Sequence, residues 1–246
     1  MTDAVTRDYD AEAQDRPEHR YAYDFDYRMH GLMLRTFSGW LADGNALELG
    51  CYHGHFTTLL ADRFADLDVV DASAECIAEA GKAVADRARF FHSRFEAFAP
   101  PRRYDNIFLV HTLEHLDDRV GTLRRIGSWL AEGGRLFVAT PNARAGSRQI
   151  AVKMGLITHN AAVTMAEEAH GHRVTYSLDT LAADVRAAGL GVESNGGVFF
   201  KGLANFQLDA ALKAGIISDA YMQGCYELGQ TYPDLCSSIY CVCKKA

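Results

Sequence analysis

The sequence predicts an α/β fold, a doubly wound and mostly parallel sheet with helices on both faces. Short apolar segments alternate with amphipathic ones from about residue 45 onward, the rhythm of strand–helix–strand units rather than of a sandwich or bundle. A glycine-bearing turn, Gly50 to Gly54, directly follows the first apolar run. A chain of 246 residues with 48% hydrophobic composition can bury one substantial core with an insertion or cap, and is short for two domains.

The elements follow in order. Residues 1–20 are polar, charged and aperiodic, and are expected to form a flexible arm ahead of a single domain over 21–246. Tyr21, Tyr23, Phe25 and Tyr27 alternate with smaller or acidic residues. Met29, Leu32, Met33, Phe37 and Trp40 then recur at helical spacing, so an aromatic segment leads into an amphipathic helix. Ala46 to Leu49 reads as the first strand, His55 to Phe64 as a helix, and Leu67 to Val70 as a strand ending at Asp71. Ser73 is a suitable N-cap for a helix reaching about Ala85. Ala88 to Phe91 and Tyr104 to Val110 are strands, Asp118 to Leu130 a helix, and Gly133-Gly134 a turn before a strand from Arg135 to Thr140 that Pro141 stops. Residues 142–176 contain one weak helix, Leu178 to Ala188 is a helix, and Gly191 to Phe200 and Ser237 to Cys243 bring the strands to seven. The last two are separated by an insertion with helical patterns at Ala204 to Lys213 and Ala220 to Gly229. Unstructured loops of such length are uncommon unless they form lids or binding elements, so 142–176 and 199–236 are expected to cap a pocket.

A net charge of −7 with dispersed Lys and Arg argues against a phosphate-binding surface, and hence against a nucleic-acid partner. No apolar run approaches the roughly 20 residues needed to span a bilayer, and the first residues lack signal-peptide order; no membrane partner and a cytoplasmic location are expected. The six cysteines are scattered and contain no Cys-x-x-Cys pair, which reads as reduced thiols.

The Gly50–Gly54 turn lets a ligand approach backbone at a helix N-terminus, and Asp71, 21 residues after Gly50, is placed to accept from two ribose hydroxyls. Gly-Cys-Tyr-His-Gly lacks two glycines of the dinucleotide fingerprint, and no Gly-Lys-Ser/Thr follows for a P-loop. Glu48-Leu49-Gly50-Cys51-x-x-Gly54-x-Phe56 resembles the first motif of class I S-adenosylmethionine-dependent methyltransferases. Val69 to Ser73, Tyr104 to Asp118 and Leu130 to Leu136 resemble that family's second-, fourth- and fifth-strand motifs, in the same order. The resemblance covers residues 45–140 and implies a Rossmann-like core that binds S-adenosylmethionine and releases S-adenosylhomocysteine.

It further implies that Glu48 orients the cofactor's amino-acid end, that Gly50, Tyr52 and Gly54 form the turn beside it, and that Asp71 and Ala72 lie at the ribose. Ser93, Arg94 and Phe95 would flank adenine, with Glu96 nearby. His111 would face the sulfonium through its backbone carbonyl, and Tyr27 and Arg28 would hold the carboxylate. Tyr52 or His53 stands where the family commonly has glycine, and a positive φ at either is unusual for such side chains.

Methyl transfer is an in-line displacement, and a hydroxyl acceptor also needs a base within hydrogen-bond reach. Histidine suits that task, and His115 and His172 are the candidate catalytic bases. Glu167 to Leu181 resembles the His-containing segment that borders the acceptor pocket in ubiquinone and sugar O-methyltransferases. The expected acceptor-binding residues are His170, Tyr176, Phe199, Phe200 and Asn205. An oxygen of a sugar or secondary metabolite is the preferred acceptor, an amine the alternative, and a non-catalytic S-adenosylmethionine-binding partner protein a third reading. His53-x-His55 and His170-x-His172 raise a metal, but beyond Asp117-Asp118 no acid cluster accompanies them and none is expected. A small-molecule acceptor is the expected partner, and a homodimer is admitted.

Overall fold

The computed structural model describes residues 7–14 and 22–246. Helix α1 (Tyr9–Glu12) precedes α2 (Asp24–Phe37), and the chain enters the sheet at β1 (Ala46–Leu49). It continues through α3 (His55–Arg63), β2 (Leu67–Asp71), α4 (Ala74–Val84), β3 (Arg89–His92) and β4 (Tyr104–Val110). After α5 (Arg119–Trp129) come β5 (Leu130–Pro141), α6 (Gly146–Lys153), α7 (Met165–Ala169) and α8 (Leu178–Ala187). The chain closes with β6 (Leu190–Phe200), α9 (Asn205–Lys213), α10 (Asp219–Thr231) and β7 (Cys236–Lys245).

The sheet has seven strands in the order β3-β2-β1-β4-β5-β7-β6. All pairings among β1 to β5 are parallel, and only β7 runs antiparallel to its neighbours β5 and β6. Alternation along the strands sends side chains to two cores. Phe108 of β4 packs with Met29, Met33 and Phe37 of α2 on one face, while Ile107 and Leu109 join Leu123 and Ile126 of α5 on the other. The expected seven-stranded, doubly wound sheet with an insertion between the last two strands is what forms.

Three local expectations change. Helix α2 starts at Asp24, five residues ahead of Met29, because Asp26 accepts from the Tyr23 amide at 2.9 Å and satisfies the first turn. Phe25 thereby joins Met29, Met33 and Phe37 in a buried stripe, so helical burial overrides the alternating pattern of 21–27. β5 begins at Leu130, and Gly134 is part of it; a Cβ there would lie 2.6 Å from the Tyr104 carbonyl, so only glycine fits against β4. Residues 142–176 hold two short helices in place of one.

Within the expected N-terminal arm, residues 7–14 are docked on the domain; the rest of that segment lies outside the described residues. Asp8 caps α1 by accepting from the Ala11 amide at 3.0 Å. Asp10 accepts from the Ser73 hydroxyl and the Glu75 amide at the start of α4, and Arg7 donates to the His115 carbonyl at 2.6 Å. Arg7 and Asp10, just before and within the short helix, thus bridge the ends of β2 and β4. All six cysteines are buried and free, and among the described residues no helix is long and apolar enough to cross a membrane.

Candidate functional site

Strand order reverses between β1 and β4: the chain winds outward to β2 and β3 on one side and to β5 on the other. At such a switch point the connections leave the strand ends in opposite directions and open a crevice. A cavity of about 580 Å³ lies there, within the usual range for a small-molecule site. It is walled by the loops after β1, β2 and β4, by α1 and α2, by segments between residues 141 and 172, and by Lys201 to Asn205.

One end is built on β1 and β2. Gly50 has φ +86°, and a Cβ there would come within 2.5 Å of Thr112 Oγ1, so the turn demands glycine twice over. Asp71 accepts from the Cys51 amide at 2.7 Å and the Ser73 amide at 2.8 Å, which holds both loops in place around its carboxylate. Glu48 is 2% exposed and one of its oxygens, Oε2, has no partner; burial pushes its carboxyl up to about 8. Tyr52 takes the positive φ, +44°, with its ring stacked 3.8 Å from that of His53. Tyr52, Asp71, Ala72, Arg94, Phe95 and Glu96 all line this end. Tyr27 lines the cavity as well, its ring 4.9 Å from that of His55.

The other end gathers histidines. His111 has φ +50°, and its Nε2 lies 2.9 Å from the Ser238 hydroxyl; burial lowers its ring to about 4. The rings of His115 and His172 meet edge to face, with centroids 4.5 Å apart. Burial takes His115 well below the usual histidine value and His172 to about 4. Glu114 is 1% exposed, neither carboxylate oxygen finds a partner from another described residue, and burial raises it to about 8. His170 borders the cavity with Nδ1 3.4 Å from the Glu12 carbonyl. Asn205 donates to Asp26 at 2.9 Å and accepts from the Lys201 ammonium, whose burial lowers it to about 8.

Six expected site residues lie elsewhere. Arg28 points outward to Asp219 at 3.0 Å on the exposed side of α2. Gly54 caps α3 with φ +83° and lets α4 approach, since a Cβ there would lie 2.6 Å from Ala80 Cα. Ser93 bonds back to the Arg94 carbonyl at 3.0 Å. Tyr176 is buried and donates to Asp184 at 2.7 Å. Phe199 is buried with its ring 5.2 Å from that of Phe25, and neither it nor Phe200 reaches the cavity wall. β6 ends at Phe200 and the left-handed φ of +67° at Phe199 breaks its alternation, so Lys201, the next residue, is the one that enters. Arg7, Asp26, His30 and Glu114 also line the cavity and were not among the expected site residues. Glu114 was legible in principle as the acid beside His115, whereas the other three are lone residues in segments without a motif.

The arrangement offers an unpaired buried acid and a backbone-braced carboxylate at one end, and imidazoles with a second unpaired acid at the other. A family model described as "Methyltransferase domain" matches residues 21–195. A trans-aconitate 2-methyltransferase of Rhodopseudomonas palustris (strain HaA2) is 31% identical over 104 residues, 42% of this chain and 40% of that protein. The chain thus spans about two fifths of that relative. A ubiquinone biosynthesis O-methyltransferase of Aeromonas salmonicida is 27% identical over 68% of this chain and 71% of its own length. The N-methyltransferase NodS of Bradyrhizobium japonicum WM9, solved with S-adenosylhomocysteine, shares the fold at a TM-score of 0.59 and 17% identity, over 96% of this chain and 94% of that one.

Proposed function

The chain belongs to the methyltransferase-domain family, and from that membership we propose that it moves a methyl group from S-adenosylmethionine to a hydroxyl oxygen of a small molecule such as a sugar or secondary metabolite. The observation that carries this reading is one cavity with the Glu48–Asp71 end facing the His115–His172 pair.

The residues present fit the donor. Glu48 Oε2 is an orphaned buried acceptor suited to the ammonium of an amino-acid moiety, and Asp71 keeps lone pairs for ribose hydroxyls after binding two amides. Gly50 leaves backbone open to close approach, and Phe95 offers an apolar face for adenine. S-adenosylmethionine, when bound, supplies a methyl carbon on a sulfonium. The protein's own contributions are to position the acceptor, to exclude water with α1 and α2, and to receive the hydroxyl proton on His115 or His172.

A second reading rests on Glu114. An unpaired buried carboxylate would hold an amine acceptor by accepting its N–H, and NodS is named an N-methyltransferase. Incubation with methyl-labelled S-adenosylmethionine and matched panels of polyhydroxylated compounds and amines, followed by locating the label by NMR, tests the two. Label on oxygen is expected. Label confined to nitrogen overturns the oxygen reading.

A further inference from the structure

Glu114, His115 and His172 do not behave as three separate wall residues. We propose that they form a site for one divalent transition-metal ion in the acceptor half of the cavity. This rests on the reading of that half as the acceptor's.

One ligand atom from each residue lies within 4.8 Å of the other two. Bonds of about 2.1 Å in a tetrahedral site put ligand atoms roughly 3.4 Å apart. Side-chain torsions of three flexible residues cover the difference. The backbone already holds the parts in register, since the Arg173 amide, next to His172, donates to the Glu114 carbonyl at 2.7 Å. The carboxylate of Glu114 is the independent observation. It is almost fully buried, lines the cavity and finds no partner from another described residue, an unfavourable state that a cation would relieve.

The imidazoles are equally prepared. A bond from the His115 ring to the His170 carbonyl orients that imidazole, as the outer partners of metal-bound histidines do. The cations near the site are matched, Arg7 by Glu12 through bonds of 3.0 and 2.5 Å and Arg148 by Glu167 at 2.7 Å, and so do little to repel a metal. Two imidazoles and one carboxylate select zinc, cobalt, nickel, manganese or ferrous iron over magnesium or calcium, which prefer all-oxygen shells. Three protein ligands leave at least one position open. A hydroxyl or carbonyl oxygen of the acceptor would take it, and a coordinated hydroxyl releases its proton to solvent far more readily than a free alcohol. The ion would then do what the imidazole base does without it.

The test is a titration of the chelator-stripped full-length protein with Co²⁺, following its visible absorption, and with Zn²⁺ by calorimetry. One equivalent per chain is expected, with a spectrum that changes on the bound ion. Glu114→Gln and His172→Ala should each weaken binding by at least about tenfold while S-adenosylhomocysteine affinity, the check on folding, stays within about threefold. No saturable binding at one equivalent, or binding unchanged in the isosteric Glu114→Gln variant, overturns the site. An N-methylated product in the labelling assay removes the oxygen acceptor and leaves the metal measurement to stand or fall separately.

Discussion

In the half of the cavity proposed for the donor, Glu48, Gly50 and Asp71 sit at the ends of the adjacent parallel strands β1 and β2, within 24 residues of one another. In the half proposed for the acceptor, Arg7, Asp26, Glu114, His172 and Lys201 come from the segment before α1, from α2, from the loop after β4, from the segment after α7 and from the residue that follows β6. The donor half is braced by backbone: Asp71 is fixed by two amides, and the Gly50 amide donates to the Val70 carbonyl at 2.9 Å. The acceptor half is braced by side chains bonding one another, as in Asp26–Asn205–Lys201 and Arg7–Glu12. Side-chain wiring can be rewritten by single substitutions, whereas a backbone turn at a switch point cannot, so one half can keep a common ligand while the other diverges.

The comparison predicts separable effects. Removing the imidazole of His172 or His115 by substitution with alanine is expected to lower turnover by about 10²–10⁴-fold, the range for loss of a positioned proton acceptor. S-adenosylhomocysteine affinity by calorimetry should stay nearly unchanged. Equal loss of affinity would show that the halves are not independent.

Asp71→Ala should do the converse and weaken donor binding about 100-fold, from loss of charge-assisted hydrogen bonds worth roughly 1.5–3 kcal/mol each. Fluorescence or calorimetric titration measures it, and an effect under threefold would remove Asp71 from the donor site.

The pH dependence of donor binding tests Glu48. Its folded carboxyl sits near 8 through burial, so at neutral pH it is mostly protonated. An ammonium beside it favours the ionised form, so binding must release a proton; affinity should rise with pH up to about 8 and fall by up to about tenfold per unit below it. Calorimetry in two buffers of different ionisation enthalpy reads the released proton, and Glu48→Gln should abolish it. Uptake or no exchange in the parent protein would contradict the assignment.

The smallest effects are expected at the residues the fold withdrew from the site. Tyr176→Phe removes the bond to Asp184 and should cost about 1 kcal/mol of stability in denaturant unfolding with turnover intact. Arg28→Ala, which loses only an exposed pair with Asp219, should change neither donor affinity nor stability by more than about 0.5 kcal/mol.

The donor half was legible because its signals are contiguous: an apolar strand, a glycine at a turn and an acid at the end of the next strand. Gly54 shows the limit of that reading, since the same motif position serves helix packing against Ala80 rather than the cavity. Tyr52 was expected as a point of departure and does carry a positive φ. Asn205, His115, His170 and His172 were named from their types and neighbourhood and do line the cavity, but Phe199 and Phe200 were not separable by sequence from Lys201. Which of them faces inward depends on where β6 ends and on the positive φ at Phe199. Residues 7–14 looked like a free arm because a four-residue helix has no periodic signature; it is held by tertiary bonds to Ser73 and His115.

What the sequence determined by itself was the alternation of strands and helices, the switch-point loop and the acid that follows it. Those features depend on hydrophobic period and on backbone conformations that only certain residues adopt, and both are written locally. What only the tertiary structure decided was that Glu114, His115 and His172 share one corner, that Lys201 lines the cavity while Tyr176 does not, and that residues 7–14 reach both ends. These are contacts between segments tens of residues apart, whose geometry is set by how the sheet and its helices pack and by no residue pattern within a single segment.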